Sequence, residues 1–207
     1  MNYSHKMLLA SSTTEPDSLF HHSLVYITAH TDRHTLGFIV NRESTTLLSE
    51  LVKGTELDPD TAAAPKMTRP LLLGGPVSSM HISLMYQGVP AAPALAKIER
   101  GDRVYTAYDG DGDKTQAIKV TKTAEVTEKL LRDMLERPDP EVRYQLFMGH
   151  ASWEPGQLDD EVKYDQWLVL DADPEIIFHP RTTKRREMAA RSIDLNLGRW
   201  LPPLQHP

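Results

Sequence analysis

Two short segments rich in β-branched and aromatic residues stand only four residues apart, and this spacing constrains the fold more than any other feature. The segments are residues 23–30 (SLVYITAH) and 35–41 (TLGFIVN), separated by residues 31–34. β-Branched and aromatic side chains favour extended strands, and a four-residue connection suits an antiparallel turn. The sequence therefore predicts a β-hairpin early in the chain.

Other strand signals follow in the first half, and most of the helix signals lie later. Apolar residues at positions 126, 130, 131, 134 and 135 have helical spacing, which predicts a helix over residues 124–136. Shorter helices are predicted at residues 47–53 and 157–165, and further strands at residues 70–77, 81–86, 103–107, 142–148 and 167–170. Because most predicted strands precede the helices and few helices connect one strand to the next, the sequence indicates an α+β fold. We expect one domain over residues 1–180, with residues 181–207 as a tail docked on it.

Composition and charge exclude several functional classes. The chain contains no cysteine, so disulfides, thiolate metal sites and cysteine nucleophiles are excluded, and a cytoplasmic location fits. The apolar stretch at residues 7–10 is too short for a signal peptide, and no window approaches about 18 apolar residues. The net charge of −6 disfavours broad attraction to nucleic acid or anionic lipid. We expect a cytoplasmic protein that has no membrane partner. Nucleic acid is a possible partner but a disfavoured one.

The segment GHASWEPGQLDDE, residues 149–161, has two interpretations. Gly149 and Gly156 permit sharp turns on both sides of Trp153, and a helix beginning near Gly156 exposes free N–H groups that attract anions. Acidic residues in the first turn of that helix interact favourably with the helix dipole, but their negative charge weakens the attraction of an anion to the N–H groups. The favoured interpretation is a structural connector with Trp153 in the core. The alternative is a loop that contacts a ligand.

Asn41 and Arg42 leave the second strand of the predicted hairpin, where side chains can converge on a cleft. Arginine can bind a carboxylate or a phosphate through two hydrogen bonds. The favoured alternative is an internal ion pair, for which Glu161 is a candidate acid.

Gly74, Gly75 and Pro76 follow an apolar segment and suggest a phosphate-binding loop. The required lysine and glycine spacings are absent, so a tight turn beside a sheet is favoured over a ligand-contacting loop.

Metal and nucleophile signals are weak. The acidic turn at residues 109–113 lacks the glycine and glutamate of a calcium loop, and the four histidines at positions 21, 22, 30 and 34 do not form a helical zinc motif. No serine lies in a nucleophile motif. We therefore expect no metal site, no cofactor and no assembled catalytic residues.

The C-terminal region is basic. Residues 181–199 contain six basic and two acidic residues. A solvent-exposed face of a docked tail is the favoured interpretation. The rival is a patch for nucleic acid or an acidic partner, whose binding would weaken steeply with salt.

Taken together, the order and spacing of these motifs resemble the AlgH/YqgE family of bacterial proteins. The resemblance rests on the strand ending in His30, on GFIVNR at residues 37–42, on LGGPV at residues 73–77, and on the segment at residues 149–161 with Trp167 and IIF at residues 176–178. Glu43 and Ser152 depart from the pattern, as do the region after Val77 and the tail after Phe178. The resemblance implies a compact α+β domain with a bent, mainly antiparallel, partly barrel-like sheet flanked by helices. It implies no settled enzymology and only a loose association with transcription.

We predict a non-enzymatic protein that binds a protein or small-molecule partner, in which Arg42 supplies charge, Trp153 an apolar wall and Gln157 a directional hydrogen bond. The candidate contact residues are Asn41, Arg42, Gly74, Gly75, Pro76, Trp153, Gly156, Gln157 and Glu161. One alternative is a hydrolase or nucleic-acid-processing enzyme that uses Glu161, His150 and Asp159. The other is a DNA-binding regulator that acts through the basic tail.

Overall fold

The predicted hairpin is present in the computed structural model, where β2 (Leu24–His30) pairs antiparallel with β3 (Thr35–Ile39). The structure describes residues 1–51, 53, 70–88, 104–106, 118–121, 124–136 and 139–195. The remaining strands are β1 (Lys6–Ala10), β4 (Leu72–Leu73), β5 (Val77–Gln87), β6 (Val104–Thr106), β7 (Ile118–Thr121), β8 (Arg143–Trp153) and β9 (Trp167–Asp171). The described helices are α1 (Leu48–Leu51), α2 (Ala124–Glu136), α3 (Gln157–Lys163), α4 (Pro174–Ile177) and α5 (Thr182–Arg191).

The strands form one sheet with the order β6-β7-β5-β8-β3-β2-β1-β9, and each neighbouring pair in this order is antiparallel. β4 lies beside β8 in parallel. The sheet is not closed, but it is strongly bent, because residues of β1 and β7 share one core cluster although four strands separate them in the sheet order. The α+β fold with a bent, mainly antiparallel sheet is confirmed.

Both faces of the central strands are buried, which explains why β2 alternates between two core clusters. Leu24 and Tyr26 lie in a cluster covered by α4 and α5, whereas Val25 and Ile27 lie in a cluster covered by α3. A third cluster joins Leu130, Leu131 and Met134 of α2 to residues of β5 and β8. Alternate side chains of a strand point to opposite faces, so a strand buried on both faces is apolar throughout.

Several element boundaries differ from the sequence predictions. α1 is shorter than the helix predicted over residues 47–53. Residues 70–77 were predicted as a strand running into a glycine-proline turn, and the strand before that turn is only two residues long. The turn predicted after β9 continues into α4, which Asp173 caps by accepting a hydrogen bond from the Glu175 N–H. The acidic turn at residues 109–113 lies outside the described residues.

β1 coincides with the short apolar stretch at residues 7–10, for which no strand was predicted. Its residues 7–10 are fully buried between β2 and β9. No described helix is long and apolar enough to span a membrane.

The prediction of a solvent-exposed basic face on the tail is wrong for its central residue. Arg185 is only 1% exposed, and Ala189 and Ala190 on the same helix are part of the core. Residues 185 and 189 are one helical turn apart, so they point to the same side of α5. That side packs on the sheet, and it carries the arginine inward with it.

Candidate functional site

Glu161 is the centre of a hydrogen-bonded group in the predicted loop. Its Oε2 accepts hydrogen bonds from Trp153 Nε1 at 2.8 Å and Trp167 Nε1 at 2.7 Å. Its Oε1 accepts a third from Gln157 Nε2 at 2.8 Å. Hydrogen bonds to a charged acceptor are stronger than those between neutral groups. The carboxylate therefore ties α3 to the end of β8 and the start of β9.

The two indoles form a small aromatic cluster with Phe20. The ring centroids of Trp153 and Trp167 are 6.1 Å apart at a near-perpendicular angle, and Phe20 lies 5.8 Å from Trp153 and 5.7 Å from Trp167. Both tryptophans are almost completely buried, at 3% and 4% exposure. A buried indole N–H needs an acceptor, and Glu161 supplies one for both. This geometry agrees with the structural-connector interpretation.

Gly156 precedes α3 with a φ of 80°. An added Cβ at this position would meet no atom within 4 Å, so the requirement for glycine is conformational and not steric. Gln157 is exposed, and besides bonding Glu161 it accepts a hydrogen bond from the Glu154 N–H at 3.0 Å. Both positions thus fix the entry into the helix.

The proposed ion pair between Arg42 and Glu161 is wrong. Arg42 Nη2 instead donates to the carbonyl oxygen of His21 at 2.9 Å. Asn41 acts on the same segment, because its Oδ1 accepts from the Leu24 N–H at 2.7 Å and its Nδ2 donates to the His22 carbonyl at 3.0 Å. The two side chains therefore hold the chain that leads into β2.

Gly74 and Gly75 cross β8 at very short range. A Cβ on Gly74 would lie 2.3 Å from the Gly149 carbonyl oxygen, and a Cβ on Gly75 would lie 2.2 Å from the His150 carbonyl carbon. No other residue fits such a backbone contact. Pro76 follows on the exposed side. The glycine pair therefore permits a close backbone crossing beside the sheet, as the turn interpretation expected.

The predicted contact residues fall into two groups. Asn41, Arg42 and the glycine turn are neighbours, since the Leu73 N–H donates to the Arg42 carbonyl at 2.9 Å. The residues from Trp153 to Glu161 form the second group around the carboxylate. The segment at residues 20–22 touches both, with Phe20 on the indoles and the carbonyls of residues 21 and 22 on Arg42 and Asn41.

The three groups suspected of proton transfer are not joined by a contact within the part of the chain that the structure describes. His150 pairs with Val77 across the sheet, and its pKa is lowered, chiefly by burial and secondarily by the charge of His81. Asp159 and Glu161 lie two residues apart on α3, a spacing that points side chains in different directions. Among the described residues, no three acidic or histidine side chains form a group that could hold a metal ion.

Two arginines of α5 were missed as individual functional candidates, although both belong to the basic run of the tail. Arg185 donates to the carbonyl oxygens of His179 and Val40 at 2.7 and 2.6 Å and to Gln145 Oε1 at 3.2 Å. Arg186 differs, since its Nε and one Nη atom are buried without a hydrogen-bond partner. The apolar MAA that follows the KRR run was the available sign that this helix packs on the core.

Comparison with known proteins gives consistent matches over nearly the whole chain. A family model described as AlgH-like matches residues 7–198. A UPF0301 protein of Vibrio atlanticus is 26% identical over 202 residues, covering 95% of this chain and 94% of that protein. A UPF0301 protein of Paraburkholderia phytofirmans is 29% identical over 202 residues, covering 96% and 92%.

Two solved structures resemble the fold. The solution structure of the AlgH protein from Pseudomonas aeruginosa superposes with a TM-score of 0.67 at 22% identity, covering 100% of this chain and 97% of that one. A crystal structure of a Corynebacterium diphtheriae protein gives a TM-score of 0.64 at 18% identity, covering 92% and 87%. At these identities the likeness establishes the fold alone.

Proposed function

This chain belongs to the AlgH-like family, and from that premise we propose that it acts by binding a partner without chemical turnover. The contact surface in this proposal is the group formed by Asn41, Arg42, Gly74, Gly75 and Pro76. It is extended by the exposed beginning of β5, where Met80 is 77% exposed. In this proposal the Trp153 and Glu161 side chains stabilise the fold behind the surface, and the exposed turn at Gly156 and Gln157 lies outside it.

The proposal rests on the role of the Glu161 carboxylate, which is the acidic group of the family motif. The Glu161 carboxylate already accepts three hydrogen bonds from side chains of its own chain. An ionised carboxylate has about four acceptor positions, so these three donors leave about one position for the proton that a general base abstracts. Arg42, in contrast, is half-buried, and among the described residues its side chain makes one hydrogen bond, to the His21 carbonyl, so we expect the rest of its guanidinium to be available to a partner.

Two alternatives keep weaker support. An enzyme that uses Glu161, His150 and Asp159 needs these groups in one pocket, and no contact among the described residues joins His150 to either acid. A DNA-binding regulator that acts through the tail loses Arg185 to the core, and it also loses exposed positive charge because Lys184 and Arg191 pair with Glu187.

A photo-crosslinking experiment in the native host tests the proposed surface. A photoreactive phenylalanine analogue replaces Met80. In a matched control it replaces Tyr164, which is 67% exposed at the C-terminal end of α3. We expect an adduct of discrete added mass at position 80 and none at position 164. Intact-mass analysis detects a small-molecule adduct as readily as a protein adduct.

The opposite pattern would contradict the proposal. Adducts at both positions would indicate nonspecific capture, and the absence of adducts at position 80 would remove this face as a binding surface. The expected cytoplasmic location is part of the same proposal, and fractionation of the native host tests it.

A further inference from the structure

A cluster of basic side chains lies where the segment before β2, the end of β3 and α5 meet. Its members are His22, Arg42 and Arg186, with His21 at its border. The His21 and His22 rings are 3.9 Å apart, and Arg42 donates to the His21 carbonyl. Three separate parts of the chain thus bring positive or protonatable groups to one place.

Helix α5 brings Arg186 to this place by contacts that are independent of Arg186 itself. The Thr182 hydroxyl donates to Glu43 Oε1 at 2.7 Å, and Arg185 Nη1 donates to the Val40 carbonyl at 2.6 Å. Residues 182 and 186 are four apart and share one side of the helix. Arg186 therefore faces the chain around Arg42.

Among the described residues, the guanidinium of Arg186 has no hydrogen-bond or ion-pair partner. Its Nε and one Nη atom are buried and make no hydrogen bond, and it takes part in no ion pair. A buried donor without an acceptor costs free energy, and a charged donor costs more. Such a group in a native fold calls for an acceptor from outside the described residues, either a water molecule or a bound ligand.

The charged groups that act on His22 are positive. The pKa of His22 is lowered by burial first and then by the positive charges of His21, Arg186 and Arg42. The nearest acid in sequence, Glu43, is engaged by the Thr182 hydroxyl and forms no ion pair with either arginine. Glu187 is likewise occupied by Lys184 and Arg191.

The backbone at His22 supports the same interpretation. This residue has a φ of 61°, in the left-handed region that a side chain rarely adopts, and Asn41 holds its carbonyl there at 3.0 Å. Strained conformations of this kind persist where the surroundings impose them, and they cluster at ligand-binding sites. Asn41 thereby sets the position of the imidazole beside the two guanidinium groups.

We propose that Arg42, Arg186 and His22 form a binding site for the phosphate group of a small molecule. This inference rests on the proposed function and names the ligand class at the Arg42 end of its surface. A phosphate monoester carries a charge of about −1.5 to −2 at neutral pH, which balances two guanidinium groups. A carboxylate carries only one charge and is satisfied by one arginine.

Phosphate binding by purified full-length protein tests the site. Inorganic phosphate is titrated while backbone amide NMR signals are followed, with acetate as the carboxylate comparison at equal ionic strength. We expect saturable shifts near residues 22, 42 and 186 with phosphate and weaker effects with acetate. Arg186→Gln should weaken phosphate binding by about tenfold or more, because it removes charge-assisted hydrogen bonds.

Two further variants separate the site from general charge and from folding. Arg181→Gln removes the same charge from the exposed N-cap residue that precedes the same helix, and this variant should bind phosphate as the wild type does. Arg42→Lys keeps the charge and should weaken binding without unfolding the protein. The amide spectrum of each variant reports its fold independently.

Three results would overturn the inference. They are no saturable shift with phosphate, equal losses in Arg181→Gln and Arg186→Gln, or acetate binding as strong as phosphate binding. If phosphate fails to bind while position 80 still gives its adduct, this site is wrong and the proposed function stands. If phosphate binds and position 80 gives no adduct, the site stands and the broader surface is wrong.

Discussion

At the residue scale, the Glu161 carboxylate illustrates how a conspicuous acid can serve the fold. It is the shared acceptor of two buried indoles and an amide. Removing it leaves two buried N–H donors without a charged acceptor, and such losses commonly cost more than the hydrogen bonds contributed. The acid that the sequence offered as a general base is therefore expected to matter for stability.

The first prediction concerns this carboxylate. Glu161→Gln should lower the free energy of unfolding by about 2 kcal/mol, because one amide oxygen replaces a charged acceptor of three donors. Chemical denaturation followed by tryptophan fluorescence measures it, with exposed Glu154→Gln as the control, expected within about 0.5 kcal/mol of wild type. Equal stability of both variants would show that the hydrogen bonds contribute nothing.

The second prediction compares adjacent arginines of α5. Arg185→Met should destabilise the fold by about 3 kcal/mol, because two buried acceptors and one half-buried acceptor lose their donor. Arg186→Met should be neutral or stabilising, because it removes unpartnered buried donors. Thermal unfolding of the two variants side by side measures the difference. A large loss of stability in Arg186→Met would reveal a structural role for that side chain.

At the element scale, the glycine crossing decides how β4 meets β8. We predict that Gly75→Ala lowers the free energy of unfolding by several kcal/mol, roughly 3 or more, because the new methyl group would overlap the backbone of residue 150. Gly156→Ala is the matched control. It meets no atom within 4 Å, so its cost should be the conformational one of about 1 kcal/mol. Similar losses in the two variants would contradict the crossing geometry.

The spacing of apolar residues along the sequence predicted the positions of helices and strands, but it did not predict which side chains contact one another. The apolar spacing of α2 predicted its bounds, Ala124–Glu136, and the four-residue gap predicted the hairpin. Glu161 was assigned to the wrong partner, because its real partners include Trp167 of β9. Three strands separate β9 from β8 in the sheet order, so the meeting of Trp167 with Trp153 depends on the bending of the sheet. The burial of Arg185 is likewise a tertiary effect, since a KRR run looks the same on an exposed helix.

At the scale of the whole molecule, half-buried histidines couple the stability of the fold to pH. Burial lowers the pKa of His5, His22 and His150 below the ordinary value of 6.5. Between the folded and unfolded pKa values the unfolded chain binds more protons, so stability rises with pH in that interval.

The pH prediction follows from that sign. The free energy of unfolding should be at its plateau above pH 6.5 and should fall as the pH drops below this value. Denaturation midpoints measured across this interval test it. Replacing half-buried His150 with glutamine should flatten the slope, whereas a slope of opposite sign would mean that the histidines gain protons on folding.

Our central claim is that different residues serve stability and binding: Glu161 stabilises the fold, and Arg186 and Arg42 bind the ligand. A ligand that binds only the folded state raises the free energy of unfolding according to its concentration and affinity. The most direct measurement is the change in unfolding free energy that inorganic phosphate causes in wild type, Glu161→Gln and Arg186→Gln. We predict that phosphate raises the unfolding free energy of wild type and Glu161→Gln by equal amounts, although Glu161→Gln starts from a lower value. In Arg186→Gln we predict little or no increase. An increment lost in Glu161→Gln and kept in Arg186→Gln would contradict it.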